Sequence, residues 1–269
     1  MKCSVNATGG SVDNVNKVTN NELDFAIAQK DVLYDKANAN GSFKDDANSD
    51  LRAVVSLYPE LLTLVVAKER GIKTYKDLVG KNINLGNPGS GNEVTAKMVL
   101  KAYKIDPEKL GNKKGDLDIQ KASAALRKKE IDGYFFVAGH PNRNITRVAN
   151  TIAIDLISID NEQMKELLEK YPYFVKGLLP ANIMYQGVNH DTQTIGVKAV
   201  LFTHKNQDDE SVKILLKSIL DNFDEYKSLN SALRSVTKES LIEGMSLPLH
   251  PAAEQVFKEA GIIKEEKSK

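Results

Sequence analysis

The chain has a single cysteine, Cys3, in 269 residues. One thiol cannot close an internal disulfide, complete a cysteine zinc site or form a redox pair. Lipidation at Cys3 needs an apolar run before it, and only Met1-Lys2 stand there. Cys3 is therefore read as buried at the start of a strand. A surplus of charge of either sign is also missing, because the formal net charge is +1. A protein that grips phosphate chains carries a basic surplus, so nucleic acid is not expected as a partner. The mixed run Lys264-Glu265-Glu266-Lys267 reads as a solvated face. Long apolar runs are missing too. The longest, Leu61 to Ala67 and Thr151 to Ile159, fall far below the roughly 18–20 residues of a membrane-spanning helix. No signal peptide is visible, and the chain opens almost directly on a strand-like Cys3-Ser4-Val5. This start reads as trimmed, with a signal peptide expected upstream of Met1.

Catalytic and metal-binding sets are equally sparse. The four histidines, His140, His190, His204 and His250, do not stand at metal-ligand spacing. No metal and no cofactor is therefore expected. There is no nucleophile elbow and no Cys–His pair. The acid pairs Asp45-Asp46 and Asp208-Asp209 lie in polar stretches, where carboxylates solvate rather than transfer protons. His140, in Gly139-His140-Pro141, stays open as a base, a ligand or a satisfied turn residue.

What is present is an alternation of short apolar runs and amphipathic stretches, which predicts an α/β fold. Strands are predicted over residues 23–28, 51–57, 61–67, 82–85, 133–137, 152–159 and 195–203. Helices are predicted over residues 13–21, 93–103, 118–129, 162–170, 209–222 and 252–260, with Gly261 as a stop. Tyr58-Pro59-Glu60 reads as a break between two strands, and Pro172 to Pro180 as irregular. Asn21-Glu22-Leu23-Asp24-Phe25-Ala26-Ile27 resembles Lys129-Glu130-Ile131-Asp132-Gly133-Tyr134-Phe135-Phe136. Two lobes built alike, or a chance match of short junctions, would each give this.

Two glycine-rich turns follow strands and open helices. In Gly86-Asn87-Pro88-Gly89-Ser90-Gly91-Asn92, glycine lets the backbone approach a ligand, and the first helical N–H groups point outward. The helix dipole favours a carboxylate or phosphate there. No Lys-Ser/Thr pair follows, so it is not a P-loop, and it does not fit GxGxxG. An ordinary N-cap by Ser90 or Asn92 explains the same spacing. Thr8-Gly9-Gly10-Ser11 is a second such turn, with Ser11 as a cap or an anion contact. Gln29-Lys30-Asp31 ends a strand, where polar groups line the crevice of open α/β sheets. Asp31 capping a helix is the alternative. Tyr58 could stack on a ligand or cover a core edge.

Six stretches in order carry a resemblance to a known family: Thr8-Gly9-Gly10-Ser11-Val12, Leu23 to Asp31, Ser56-Leu57-Tyr58-Pro59-Glu60, Gly86 to Gly91, Phe135 to Pro141, and Ser246-Leu247-Pro248-Leu249-His250-Pro251. Together they resemble the TAXI family, the TRAP-associated extracytoplasmic immunogenic solute receptors. The resemblance implies a type II periplasmic-binding-protein fold, with two α/β lobes joined by crossing strands around a ligand cleft. Residues 1–66 plus 194–269 would form one lobe and 67–193 the other. It implies a periplasmic receptor without enzymatic activity. Such a receptor binds a glutamate-like amino acid or dicarboxylate and passes it to a fused TRAP membrane permease. Ser11, Gln29, Tyr58, Ser90, Gly91 and Asn92 would bind the ligand, and Phe136 and Val137 would form the opposite wall. The chain departs from the family in three ways. The family's first strand and Gly-Thr-Gly-Gly loop are not seen. Lys30 replaces a serine. Asn92-Glu93 stands where a threonine or another small polar residue is common. An enzyme on the same fold, or a surface antigen without a transported ligand, are the competing readings.

Overall fold

The structure, a computed structural model, describes residues 2–48, 50–111 and 117–264. The elements in chain order are α1 (Ser11–Thr19), β1 (Phe25–Gln29), α2 (Lys30–Ala37), β2 (Leu51–Ala67), β3 (Ile83–Asn84), α3 (Gly91–Ala102), α4 (Ile119–Arg127) and β4 (Gly133–Ala138). Then come α5 (Arg143–Ala149), β5 (Ile154–Leu156), α6 (Asn161–Lys170), β6 (Val175–Leu179), β7 (Thr192–His204), α7 (Asp209–Asp221), α8 (Phe223–Ser228) and α9 (Pro251–Glu259). Contacts divide the chain into two units. Unit 1 is Met1–Tyr58 with Lys198–Lys269, and unit 2 is Pro59–Val197. The divisions fall inside β2 and β7, the same strands that hold the 66/67 and 193/194 boundaries of the sequence reading.

In unit 1, β1 pairs antiparallel with β7, from Phe25 opposite Thr203 to Gln29 opposite Ala199. Helices α7 and α9 cover this unit's core. Val212, Leu216 and Leu220 recur four residues apart on α7, so one stripe meets Val54 and Val55 of β2. Asp208 starts α7 by accepting the Ser211 N–H at 2.8 Å. Asp46, from the other acid pair, bonds Lys36 at 2.7 Å. One acid of each pair thus serves structure.

In unit 2, β4 runs antiparallel to β2 and parallel to β3. Strand β5 pairs with the end of β2, and β6 pairs with the first half of β7. Gly133 is required by close approach: a Cβ there would stand 2.8 Å from the Val65 carbonyl oxygen and 2.9 Å from Val66 Cγ1. Leu126, Ile131 and Tyr134 join Ile145 and Val148 in this unit's core.

The half-repeat is a shared turn. After α1, the Asn21 N–H bonds Val18 O and the Glu22 N–H bonds Lys17 O. After α4, the Lys129 N–H bonds Leu126 O and the Glu130 N–H bonds Ala125 O. Asn21 and Lys129 hold φ of 58° and 62°. Each is a Schellman closure, in which the two residues after the cap satisfy the helix's last carbonyls. Each unit therefore leads a helix into a strand by the same geometry.

Several expectations need correction. Cys3 is exposed and lies in no strand, and Val5 is 95% exposed. Tyr58-Pro59-Glu60 does not interrupt pairing elements, because β2 runs straight through it. Proline at an edge or at a bulge is compatible with a strand, so Pro59 was a poor break signal. Residues 172–180 contain β6, whose outward-facing Lys176 and Leu178 blur the apolar pattern. The run 152–159 keeps only a short strand, β5, and the turn before it follows α5. Of Lys264-Glu265-Glu266-Lys267, the last three residues lie outside the described residues.

Candidate functional site

The predicted residues form two local groups, Ser11, Gln29 and Tyr58 in unit 1, and Ser90, Gly91, Asn92, Phe136 and Val137 in unit 2. In unit 2, β3 ends at Asn84 and the chain turns through Gly86, whose φ is 116°. A Cβ on Gly86 would meet Asn92 Nδ2 at 2.6 Å, so the turn closes only around glycine. Ser90 caps α3 by accepting the Glu93 N–H at 3.2 Å, and it donates its own proton to Asn87 O at 2.6 Å. Asn92 donates to Leu85 O at 3.0 Å and to Phe135 O at 2.9 Å, and it accepts the Val137 N–H at 2.9 Å. Both of its amide protons and the one hydroxyl proton of Ser90 are therefore committed to the protein. An anion needs donors, and these side chains have none to give. The N–H groups of Gly91 and Asn92, at the start of α3, have no partner among the described residues. They carry the anion-binding capacity of this turn.

Asn92 also fixes the neighbouring strand. It holds Val137, which is 6% exposed, and Phe136 packs against the unit 2 core while its carbonyl accepts the Thr63 hydroxyl at 3.0 Å. The departure at Asn92 is thus a brace between the turn and β4.

In unit 1, Ser11 is the first residue of α1 and does not cap it; Gly10 is the N-cap. The Ser11 Oγ accepts the Gln29 N–H at 3.1 Å, which ties the two candidate residues together in a buried position. Its own proton has no acceptor among the described residues and is free to donate. Gln29 ends β1 and is the N-cap residue of α2. Asp31 is fully buried in the first turn of α2, where its carboxylate accepts the Val32 N–H at 2.9 Å. Tyr58 is half-buried and packs against the core that contains Val54 and Phe257.

Asp13 was missed. It stands in the first turn of α1 and accepts the Gly9 N–H at 2.8 Å, with Lys17 Nζ also at 2.8 Å. Lys17 and the Gly9 amide hold its carboxyl below the usual range. The Gly9 N–H is therefore committed to Asp13 and is not offered to an anion at the first glycine-rich turn. The signal of Asp13 was legible as an Asp–Lys pair four residues apart opening a helix.

His140 is a satisfied turn residue. Its Nε2 faces Leu61 O at 3.1 Å and its Nδ1 faces the Tyr185 hydroxyl, which also accepts the Asn142 N–H at 2.8 Å. The carbonyl requires the proton on Nε2, so Nδ1 accepts from Tyr185. Burial holds the imidazole down at about 4. No group of three or more metal-ligating side chains occurs among the described residues. None of their helices is long and apolar enough to cross a membrane.

Each of the two α/β units thus carries a glycine-rich helix start. Residues 1–261 match the NMT1-like family, and the chain belongs to that family. A protein from Bordetella bronchiseptica RB50 has the same fold, with a TM-score of 0.53 and 14% identity over 94% of this chain and 70% of its own. The alkanesulfonate-binding protein SsuA from Xanthomonas axonopodis pv. citri, bound to MOPS, aligns with a TM-score of 0.48. It is 14% identical over 96% of this chain and 76% of its own. The periplasmic aliphatic sulphonate binding protein SsuA from Escherichia coli aligns at 0.43, with 15% identity over 93% of this chain and 70% of its own.

Proposed function

We propose that this chain is a periplasmic solute receptor of the type II binding-protein kind, which holds a small organic anion or amino acid and hands it to a membrane permease. The observation that carries the reading is the start of α3. There, two unpaired amides, Gly91 and Asn92, meet the positive end of a helix on a turn that Gly86 and Asn92 hold rigid. Family membership supports it, as does the absence of any assembled acid–base or metal set among the described residues. In this reading Ser11 and Gln29 contribute from unit 1, Tyr58 gives an aromatic face, and Phe136 and Val137 form a wall. Ser90 and Asn92 position the amides and do not touch the ligand through their side chains. The TAXI resemblance makes a TRAP-type permease the partner and a glutamate-like amino acid or dicarboxylate the cargo. Isothermal titration calorimetry against amino acids and dicarboxylates tests this. Saturable binding to at least one of them is expected. A folded protein that binds none of them overturns the reading.

A further inference from the structure

Two lysines in unit 1 approach one glycine, Gly244, and neither forms an ion pair with the described residues. The β1–β7 register ends with Gln29 opposite Ala199; Lys30 then opens α2, and Lys198 precedes Ala199 on β7. Both side chains converge on Gly244: a Cβ on that glycine would lie 3.7 Å from Lys30 Nζ and 3.6 Å from Lys198 Cγ. The Gly244 segment is tied to this corner by the Ser246 hydroxyl, which donates to Lys30 O at 2.9 Å. Lys30 and Lys198 are each half-buried, and neither ammonium forms an ion pair or hydrogen bond with the described residues.

Three penalties therefore meet at Lys30. It is the first residue of α2, where the helix dipole disfavours a cation. The side chain of a second lysine, Lys198, approaches the same glycine as its ammonium. Burial draws the Lys30 ammonium below the usual lysine value. Asp31 follows it, but that carboxylate is buried and turned to the Val32 N–H. Glu243, beside Gly244, is exposed and pairs with neither lysine. No ion pair therefore joins either lysine to a carboxylate of the described residues. An external anion would offset all three penalties at once.

We infer that Lys30 and Lys198, bracketing Gly244, are an anion-binding pair that receives the acid group of a ligand: a carboxylate, sulfonate or phosphate. The inference rests on the receptor reading and narrows its cargo from small organic anions or amino acids to ligands with a net negative charge. Ser11 and Gln29, joined by a hydrogen bond immediately before Lys30, lie next to this pair in the chain order of unit 1.

The test titrates sodium succinate, sodium methanesulfonate and sodium phosphate into wild type, Lys30→Gln, Lys198→Gln and the double variant. Neutral leucine and sodium chloride of matched ionic strength serve as controls. Binding is read by calorimetry and by thermal shift. At least one anion is expected to bind wild type, and each single variant should weaken it at least tenfold. Without ligand, the variants should melt no lower than wild type at low salt, and sodium chloride should raise the melting temperature of wild type more than that of the double variant. An affinity within twofold of wild type in the double variant overturns the inference and leaves the receptor reading standing. Binding of leucine but of no anion does the same. Failure of wild type to bind any probe overturns the inference, and the receptor reading falls with it only if the amino-acid and dicarboxylate series also fails.

Discussion

Replacing Asn92 with alanine separates a brace from a ligand contact. The substitution removes three hydrogen bonds, to Leu85 O, Phe135 O and the Val137 N–H. A net bond is worth about 1 kcal/mol, and a buried group left unpaired costs about 1–3 kcal/mol. The two carbonyls each have a second lone pair and tolerate the loss better than the Val137 N–H, which has a single proton and lies in a buried residue. The cost should therefore be about 2–4 kcal/mol. At roughly 2–4 °C per kcal/mol for a chain of this class, the melting temperature should drop by about 5–15 °C. Asn92→Asp should be worse, because it keeps the acceptor for Val137 but turns lone pairs on both carbonyls. Differential scanning calorimetry with far-UV circular dichroism reads the loss. A melting temperature within 1 °C of wild type, with ligand affinity abolished, would refute the reasoning and return Asn92 to the ligand's first contacts.

Ser90→Ala should cost about 1 kcal/mol, the usual loss of an N-cap, and leave ligand affinity within about twofold; denaturant titration beside calorimetry checks both. His140, held down at about 4, refuses a proton that the unfolded chain accepts below 6.5, so stability should fall as pH drops from 6.5 towards 4 and then level off. The loss is up to about 3 kcal/mol, and His140→Gln should remove that slope in pH-dependent urea melts. Asp35, buried on α2 and pushed up to about 6 by desolvation, has the opposite sign. Its folded form binds a proton first, so it adds stability as pH falls from about 6 to 3.8, and Asp35→Asn should stabilise the protein at pH 7 but not at pH 3.5. Gly133→Ala should destabilise unit 2 by several kcal/mol, since its Cβ would meet cross-strand backbone at 2.8 Å that cannot step aside; solubility and melting temperature report it.

Periodicity made most of this fold legible. The apolar stripe of α7 and the runs that became β1, β4 and β7 follow from spacing alone. The Asn21 and Lys129 junctions were visible as a repeated acidic–apolar–Asp pattern, though the left-handed residue that closes each helix was not. What escaped were features set by tertiary contact. Strand β6 carries exposed Val175 and Leu178, so no alternation announces it. Cys3 looked strand-like by composition, yet no strand forms there. At the candidate site, the turn at Gly86 to Asn92 was readable, but the use of its side chains was not. Sequence spacing cannot tell whether an asparagine spends its protons on a ligand or on Leu85 and Phe135. Lys30 was noticeable as a departure, while Lys198 gained meaning only when folding brought both side chains to Gly244.

The division of the chain has a consequence for synthesis. Unit 2 is one uninterrupted stretch, Pro59 to Val197, whereas unit 1 is assembled from both ends. As the polypeptide emerges, unit 2 has every residue it needs while α7 and α9 are still unmade. Val54, Val55 and Leu57, whose core partners lie on those late helices, must wait exposed. Unit 1 therefore closes only after residues 198–269 have been made.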